Sequence, residues 1–353
     1  MRKYIHIISL ILFSISLNVK AKTPDIWGYS QFDFNSYDLN KKLSNIEFRR
    51  INFFTNSELS SNSRFLTDLE YEHNLDISSD TAVGAIKISE AYLEHSFQPE
   101  LIIRAGKFLT DFGLYNRIHD AAPSFLPVDA PEMYKKQDFA TNGSYSNPQR
   151  LFGKYMAGVE FLGTINCDSN SGSQIDYTLG FGFGRWETVK GVYNNKNLSY
   201  NARIKYRPSS IEGLQVGTSI FSEESELGLL TKGEQYLTSL GFDVQYEKSN
   251  FIFQFEGMFS NFKSEDQTKQ TSGVFYCLFG YTFFDKLTPY TVLSTVLKDF
   301  DRKNDNRNLA IFGINYNVGK DIFLKAEIQK IDHEYISDSI KGTLYRLSLA
   351  IAF

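Results

Sequence analysis

Residues 341–353 read KGTLYRLSLAIAF, and this stretch decides the fold. Tyr345, Leu347, Leu349, Ile351 and Phe353 take every second position, with Arg346 and Ser348 between them. A period of two puts the apolar set on one face of a strand and the polar set on the other. Residues 198–207, LSYNARIKYR, repeat the pattern with more charge: Leu198, Tyr200, Ala202, Ile204 and Tyr206 oppose Ser199, Asn201, Arg203, Lys205 and Arg207. An arginine or lysine turned toward lipid near a bilayer's midplane costs ~2–4 kcal/mol. In a membrane, that strand must turn its basic face to water.

Working outward, alternation and the Gly, Pro, Asn and Asp clusters mark sixteen strands. They cover about 25–38, 46–60, 63–75, 84–98, 100–108, 150–164, 174–186, 197–207, 212–223, 233–248, 249–262, 271–285, 287–298, 306–318, 320–333 and 341–353. Short connections alternate with longer ones, the segment 165–173 excepted. This is the pattern of an up-and-down antiparallel transmembrane β-barrel with short periplasmic turns and longer outer loops. Strand 271–285 is apolar on both parities, and alternation does not orient it.

Composition agrees with that fold class. The mean hydropathy of −0.29 is low, as expected where lipid-facing and lumen-facing residues alternate. Aromatics make up 15% of the chain, enough for interfacial girdles. Residues 1–21 read as a secretory signal peptide: Arg2 and Lys3, an apolar run from Ile5 to Leu17, then Val19-Lys20-Ala21. Removing it takes the net charge from −4 to about −7, and no basic run supports nucleic-acid binding. The two cysteines, Cys167 and Cys277, are too few for a disulfide framework. There is no GxSxG, HExxH or CxxC, so no catalytic residue, metal or cofactor is expected.

The stretch 109–149 breaks the pattern. It runs LTDFGLYNRIHDAAPSFLPVDAPEMYKKQDFATNGSYSNPQ without a sustained period and holds Pro123, Pro127, Pro131 and Pro148, half of the chain's eight prolines. Structureless connections longer than ~12–15 residues are uncommon and tend to be functional. The expectation is a loop folded into the lumen of a barrel spanning residues 22–353, narrowing it. Asp111, Phe112, Tyr115, Phe125 and Leu126 are expected to pin it to the inner wall.

With these features the chain resembles the Gram-negative outer-membrane porins, whose long connection falls between the fifth and sixth strands. Glu90-Ala91-Tyr92-Leu93-Glu94, Arg104-Ala105-Gly106-Lys107-Phe108 and Phe112-Gly113-Leu114-Tyr115 resemble the approach to the loop in the phosphate-selective porin O/P-like group, with Asp111 where proline is usual. The resemblance implies passive diffusion of small hydrophilic solutes and ions, location in the outer membrane, and a homotrimer. It also implies that Tyr345, Leu347, Leu349, Ile351 and Phe353 form the closing strand read by the barrel-assembly machinery. A phosphate- or other anion-specific porin is the alternative, and a barrel-borne adhesin or hydrolase a third reading. The expected inward set is mixed and leans acidic by count, which argues against phosphate. Expected constriction residues are Arg104, Lys107, Asp111, Arg117, His119, Asp120, Asp129, Glu132 and Lys135, with Arg203, Lys205, Arg207, Glu90 and Glu94 on the wall.

Overall fold

A computed structural model describes residues 23–38, 42–72, 85–118, 122–135, 137, 140–141, 144–145, 150–167, 172–184, 198–225, 235–264, 269–301, 306–334 and 339–353. The signal-peptide reading falls outside them. Sixteen antiparallel strands close into one barrel. They are β1 (Asp25–Asp38), β2 (Lys42–Glu58), β3 (Ser63–Glu72), β4 (Ala85–Gln98), β5 (Leu101–Leu109), β6 (Tyr155–Asn166), β7 (Gln174–Gly184) and β8 (Ser199–Arg207). Then follow β9 (Leu214–Ser225), β10 (Gln235–Lys248), β11 (Phe251–Ser264), β12 (Lys269–Tyr281), β13 (Leu287–Leu297), β14 (Asn306–Gly319), β15 (Ile322–Glu334) and β16 (Ser339–Ala352). Each strand pairs with its neighbour in sequence, and β1 pairs with β16 from Tyr29↔Ala352 to Asp38↔Thr343. Closure leaves no free edge, which a strand in lipid requires.

The alternation read from residues 341–353 is present in space. Tyr345 and Leu347 are exposed on the outer face, while Leu344, Arg346, Ser348 and Ala350 are buried on the inner one. On β8, Tyr200, Ile204 and Tyr206 face out and Ser199, Asn201 and Arg203 are buried inside. Phe353 continues the ladder beyond β16. Its N–H donates to Gly28 O at 2.9 Å, Gly28 N–H donates back at 2.8 Å, and its ring meets Phe53 edge-on at 5.7 Å.

Between β5 and β6 the chain turns inward. Its described residues there form three short 3₁₀ turns, Asn116–Ile118, Ala122–Ser124 and Glu132–Tyr134, and a small hairpin at Ala140–Thr141 and Ser144–Tyr145. This segment touches the buried faces of strands all round the ring, from Gln31 on β1 through Thr178 on β7 and Glu256 on β11 to Glu327 on β15. It also returns later than alternation predicts, because β6 starts at Tyr155 rather than at residue 150. Leu151 and Phe152 are buried in the segment's core instead of opening the strand.

β12 shows why alternation could not orient it. Its outer residues Phe279 and Tyr281 are exposed, whereas Val274, Tyr276 and Leu278 are buried inside. Tyr276 and Leu278, with Val292, Leu309 and Ile311 of β13 and β14, line the narrow gap behind Tyr115 and Phe125. One face of β12 is apolar because it points outward, the other because the inner segment covers it.

Candidate functional site

The inner segment is held by two kinds of anchor. The apolar one is centred on Phe112, which is fully buried and stacks on Phe152 with ring centroids 4.4 Å apart. Gly241 makes room for it: a Cβ there would stand 2.9 Å from the Phe112 ring. Tyr115 meets Phe125 edge-on at 5.0 Å and donates its hydroxyl to Gln254. Gly113, at φ +66°, makes the turn that leaves Leu114 N–H donating to Glu256 Oε1 at 2.6 Å, and Tyr134 OH donates to the same oxygen at 2.7 Å. On the return, Leu151 O accepts from the hydroxyls of Ser239 and Ser260.

The polar anchor holds the turn 122–129 against the arc from β14 to β1. Lys325 Nζ donates to three backbone carbonyls, Ala122 O at 2.5 Å, Phe125 O at 2.6 Å and Pro127 O at 2.9 Å. Asn315 Nδ2 donates to Phe125 O and Leu126 O at 3.3 Å. Glu327 Oε1 accepts Val128 N–H at 2.6 Å, and Gln31 Nε2 donates to Val128 O at 3.2 Å. These carbonyl and N–H groups of the turn 122–129 are thus satisfied by wall side chains rather than by a ladder, as burial demands.

Ion pairs form a chain around half of the ring. Arg64 and Arg104 share Glu94 at 2.7 Å each, Arg104 reaches Glu160 at 3.1 Å, and Glu160 meets Arg117 of the inner segment at 2.7 Å. Asp111 then stands between Arg117 at 3.5 Å and Arg203 at 3.6 Å, and Arg203 grips Asp243 with two hydrogen bonds, 2.6 and 3.0 Å. Lys205 and Arg207 share Asp176 at 2.9 and 2.7 Å. A second cluster surrounds Asp129, with Arg346 at 2.5 Å, Arg49 at 3.6 Å and Lys135 at 3.6 Å. Glu132 pairs with Lys135 at 2.9 Å and with Arg307 at 3.0 Å.

Burial by itself would raise the carboxyls of Asp111, Asp129 and Glu132. For Asp111 the charges of Arg117 and Arg203 outweigh burial and hold it below its ordinary value. Arg346, Arg49 and Lys135 do the same for Asp129, well below the usual range, and Lys135 and Arg307 for Glu132.

In most of these pairs the carboxylate lies deeper than the cation. The Arg64 side chain is 46% exposed against 9% for Glu94, Arg117 26% against 0% for Glu160, and Lys135 36% against 2% for Glu132. Arg307 is 28% exposed over that same Glu132. Arg203 and Arg346 are the reverse, sunk beneath Asp111 and Asp129. By side-chain exposure the more open members are therefore mainly arginines and lysines, although Nε and Nη2 of Arg117 are themselves buried and the count of inward residues leans acidic.

The structure places the expected residues unequally. Asp111, Arg117, Asp129, Glu132 and Lys135 lie in these clusters, as do Arg104, Arg203, Lys205, Arg207 and Glu94. Glu90 Oε1 accepts Leu109 N–H at 2.8 Å where the segment leaves β5. His119 and Asp120 lie outside the described residues. Lys107 departs from the expectation. Three positions beyond Arg104 on one strand it takes the opposite parity, with Nζ on Ile88 O and 4.9 Å from the Tyr155 ring centroid.

Sequence reasoning missed Arg49, beside Arg50. The β1–β2 register shifts there, pairing Gln31 with Arg50 and Phe32 with Phe48, so Arg49 is an extra residue in a bulge. The signal was available: two adjacent arginines in a membrane strand cannot both avoid lipid unless the strand bulges. Arg307, near the start of β14, was missed because no partner for it is close in sequence.

The fold is that of the sixteen-stranded outer-membrane porins. It matches an anion-selective porin from Comamonas acidovorans with a TM-score of 0.66 at 8% identity, covering 95% of this chain and 100% of that one. OmpF of Salmonella typhi, solved in complex with daunomycin, matches at 0.63 and 12% identity, over 94% and 97%. The outer membrane channel DcaP of Acinetobacter baumannii matches at 0.59 and 14%, also over 94% and 97%. In sequence, 110 residues are 27% identical to an uncharacterized protein of Aquifex aeolicus, covering 31% of this chain and only a quarter of that protein. No family model matches the chain.

Proposed function

We propose that this chain forms an outer-membrane channel for passive diffusion of small hydrophilic solutes and ions, narrowed by the segment between β5 and β6. One observation carries the reading: a ring greasy outside and polar inside holds an internal segment whose edge bears Asp111, Arg117, Asp129, Glu132 and Lys135. Phe34, Leu179, Ile204, Phe312 and Leu347 stand exposed on the outer wall, where lipid rather than water suits them. Outer-membrane lipid and the barrel-assembly machinery are the partners this implies, with a homotrimer as its assembly.

Within this reading anions are favoured over cations. The Debye length at physiological salt is ~8 Å, so in a narrow bore the charges nearest the water set which ions enter. In the ion pairs above, the more exposed charges are Arg49, Lys135, Arg307 and, toward the short turns, Arg64, Lys205 and Arg207. Planar-bilayer recording under a salt gradient tests both parts. Stepwise conductance is expected, with a reversal potential of anionic sign that the triple change R49Q/K135Q/R307Q moves toward the cationic side. A folded barrel that gives no steps refutes the channel; steps of cationic sign refute only the ion preference.

A further inference from the structure

The outer wall from β11 to β16 is not evenly convex. Two recesses lie one above the other along its strands. The one toward the short turns, about 820 Å³, is lined by Phe279, Phe312, Ile328 and Leu347 around the smaller Thr291 and Ala326. The one toward the long connections, about 780 Å³, is lined by Phe275, Cys277, Leu293 and Ala310 and ends at Lys330 and Lys341. Thr343 belongs to the same upper recess and is buried, though it sits on the outward parity. Lys330 Nζ donates to Thr343 Oγ1 at 2.7 Å, and Lys341 pairs with Asp332 at 2.7 Å.

Farther along the same rim, beyond β14 and β13, two more cations stand on β12 and β11. Lys263 of β11 and Lys269 of β12 are direct cross-strand partners, both exposed, on the side of the Phe259–Phe275 ring pair that faces the long connections. Like charges directly opposite destabilise a ladder unless an anion sits between them. Elsewhere the outer rim at the long-connection end carries Ile46, Ile86, Leu198, Tyr200 and Tyr236. Lys107 of β5 also faces outward near that end, but its ammonium is turned onto Ile88 O and the Tyr155 ring. The lysines of β11, β12, β15 and β16 lie along one arc, above a trough that is apolar and aromatic.

We infer that this arc binds a membrane lipid whose headgroup carries phosphate, its acyl chains in the stacked recesses and its phosphate between Lys330 and Lys341. The lysines at the rim match an anionic headgroup, and a neighbouring copy of this chain seated on the arc is the occupant the test below separates from a lipid. The inference rests on the membrane location in the reading above, but not on conduction.

Native mass spectrometry of the folded barrel in mild detergent tests it, with dioleoyl phosphatidylglycerol and dioleoyl phosphatidylcholine as probes. Two lysines beside an anionic headgroup give a preference of about thirtyfold for phosphatidylglycerol. K330Q/K341Q should bring phosphatidylglycerol down to the level of phosphatidylcholine. Ala310→Trp, which fills the upper recess without touching charge, should expel both lipids. Heat-modifiable migration on gels shows that each variant is folded. Equal binding of the two lipids by the unmodified barrel, or a preference that survives K330Q/K341Q, overturns the inference. So does displacement by inorganic phosphate at matching concentration, which would mark a bare anion patch, or a recess closed by a second copy. Bilayer conductance should be unchanged in both variants; loss of conductance with the lipid preference intact would strike only the channel reading.

Discussion

Lys325→Met tests whether the inner segment is fastened through the β15 ammonium. Methionine keeps most of the length and volume of lysine and removes all three donors to Ala122, Phe125 and Pro127. Hydrogen bonds from a charged donor contribute ~1.5–3 kcal/mol each. The desolvation of a buried ammonium, several kcal/mol, offsets much of their sum. What remains is the cost of leaving buried carbonyls without donors, and we expect the segment's docking to weaken by about 3 kcal/mol. That is roughly a hundredfold rise in the undocked population. The wall itself should survive, because its ladder does not depend on this side chain. The assay is limited proteolysis of the folded barrel in detergent, with cleavage sites mapped by mass spectrometry and bilayer conductance measured alongside. Cleavage between residues 119 and 135 should accelerate, and conductance should rise or become noisy while heat-modifiable migration is retained. Unchanged protection and unchanged conductance would show that Asn315, Glu327 and Gln31 suffice, and would refute the assignment.

Three further outcomes follow from the same anchors and pairs. Gly241→Leu drives a side chain into the Phe112 ring and should cost about 1–3 kcal/mol of segment docking, read as faster proteolysis near Phe112. For acid, the carboxyls of Asp111, Asp129 and Glu132 are depressed in the folded protein, so their contribution is fully present above their ordinary values and is lost as pH falls through the depressed ones. The share of the segment's protection that these three carboxylates contribute should therefore hold from neutral pH down to about pH 5 and fail below about pH 4; loss of that share near pH 6 contradicts the pairing. Phe353→Ala removes the ring that meets Phe53 while keeping the backbone bonds to Gly28. It should lower the folded fraction recovered from cell membranes yet leave refolding from urea into detergent intact, and equal cellular yield would refute a role for that residue in assembly.

The wall was legible because each strand turns one face outward and one inward, which imposes a period of two, and sixteen strands appear, with β6 starting later than alternation puts it. The approach to the segment and its apolar pins were legible too: Phe112, Tyr115 and Phe125 are buried. Three features were hidden for physical reasons. Leu151 and Phe152 read as the start of a strand, since a short apolar run looks the same whether it faces lipid or a docked loop. The bulge at Arg49 inserts one residue into the period and leaves no local composition signal other than the adjacent Arg50. Lys107 was grouped with Arg104 by nearness in sequence, although three positions on a strand reverse the face.

Charge was the property least accessible to counting. Asp and Glu have short stems and settle at the level of the backbone, where neighbouring hydroxyls and N–H groups solvate them. Arg and Lys reach past them on flexible stems, keeping the charged end in water. Ser89 donating to Glu70, Leu114 N–H to Glu256 and Val128 N–H to Glu327 show the first half of this division. The exposed guanidinium of Arg64 and ammonium of Lys135 show the second. A wall with more acids than bases can thus present bases to a passing ion. The sign of the bore follows from which partner of each pair is on top, so exchanging the partners at one pair without changing the count makes the sharpest test. A Glu132→Lys, Lys135→Glu swap preserves net charge and should move the reversal potential toward the cationic side, whereas selectivity set by the count alone would not move.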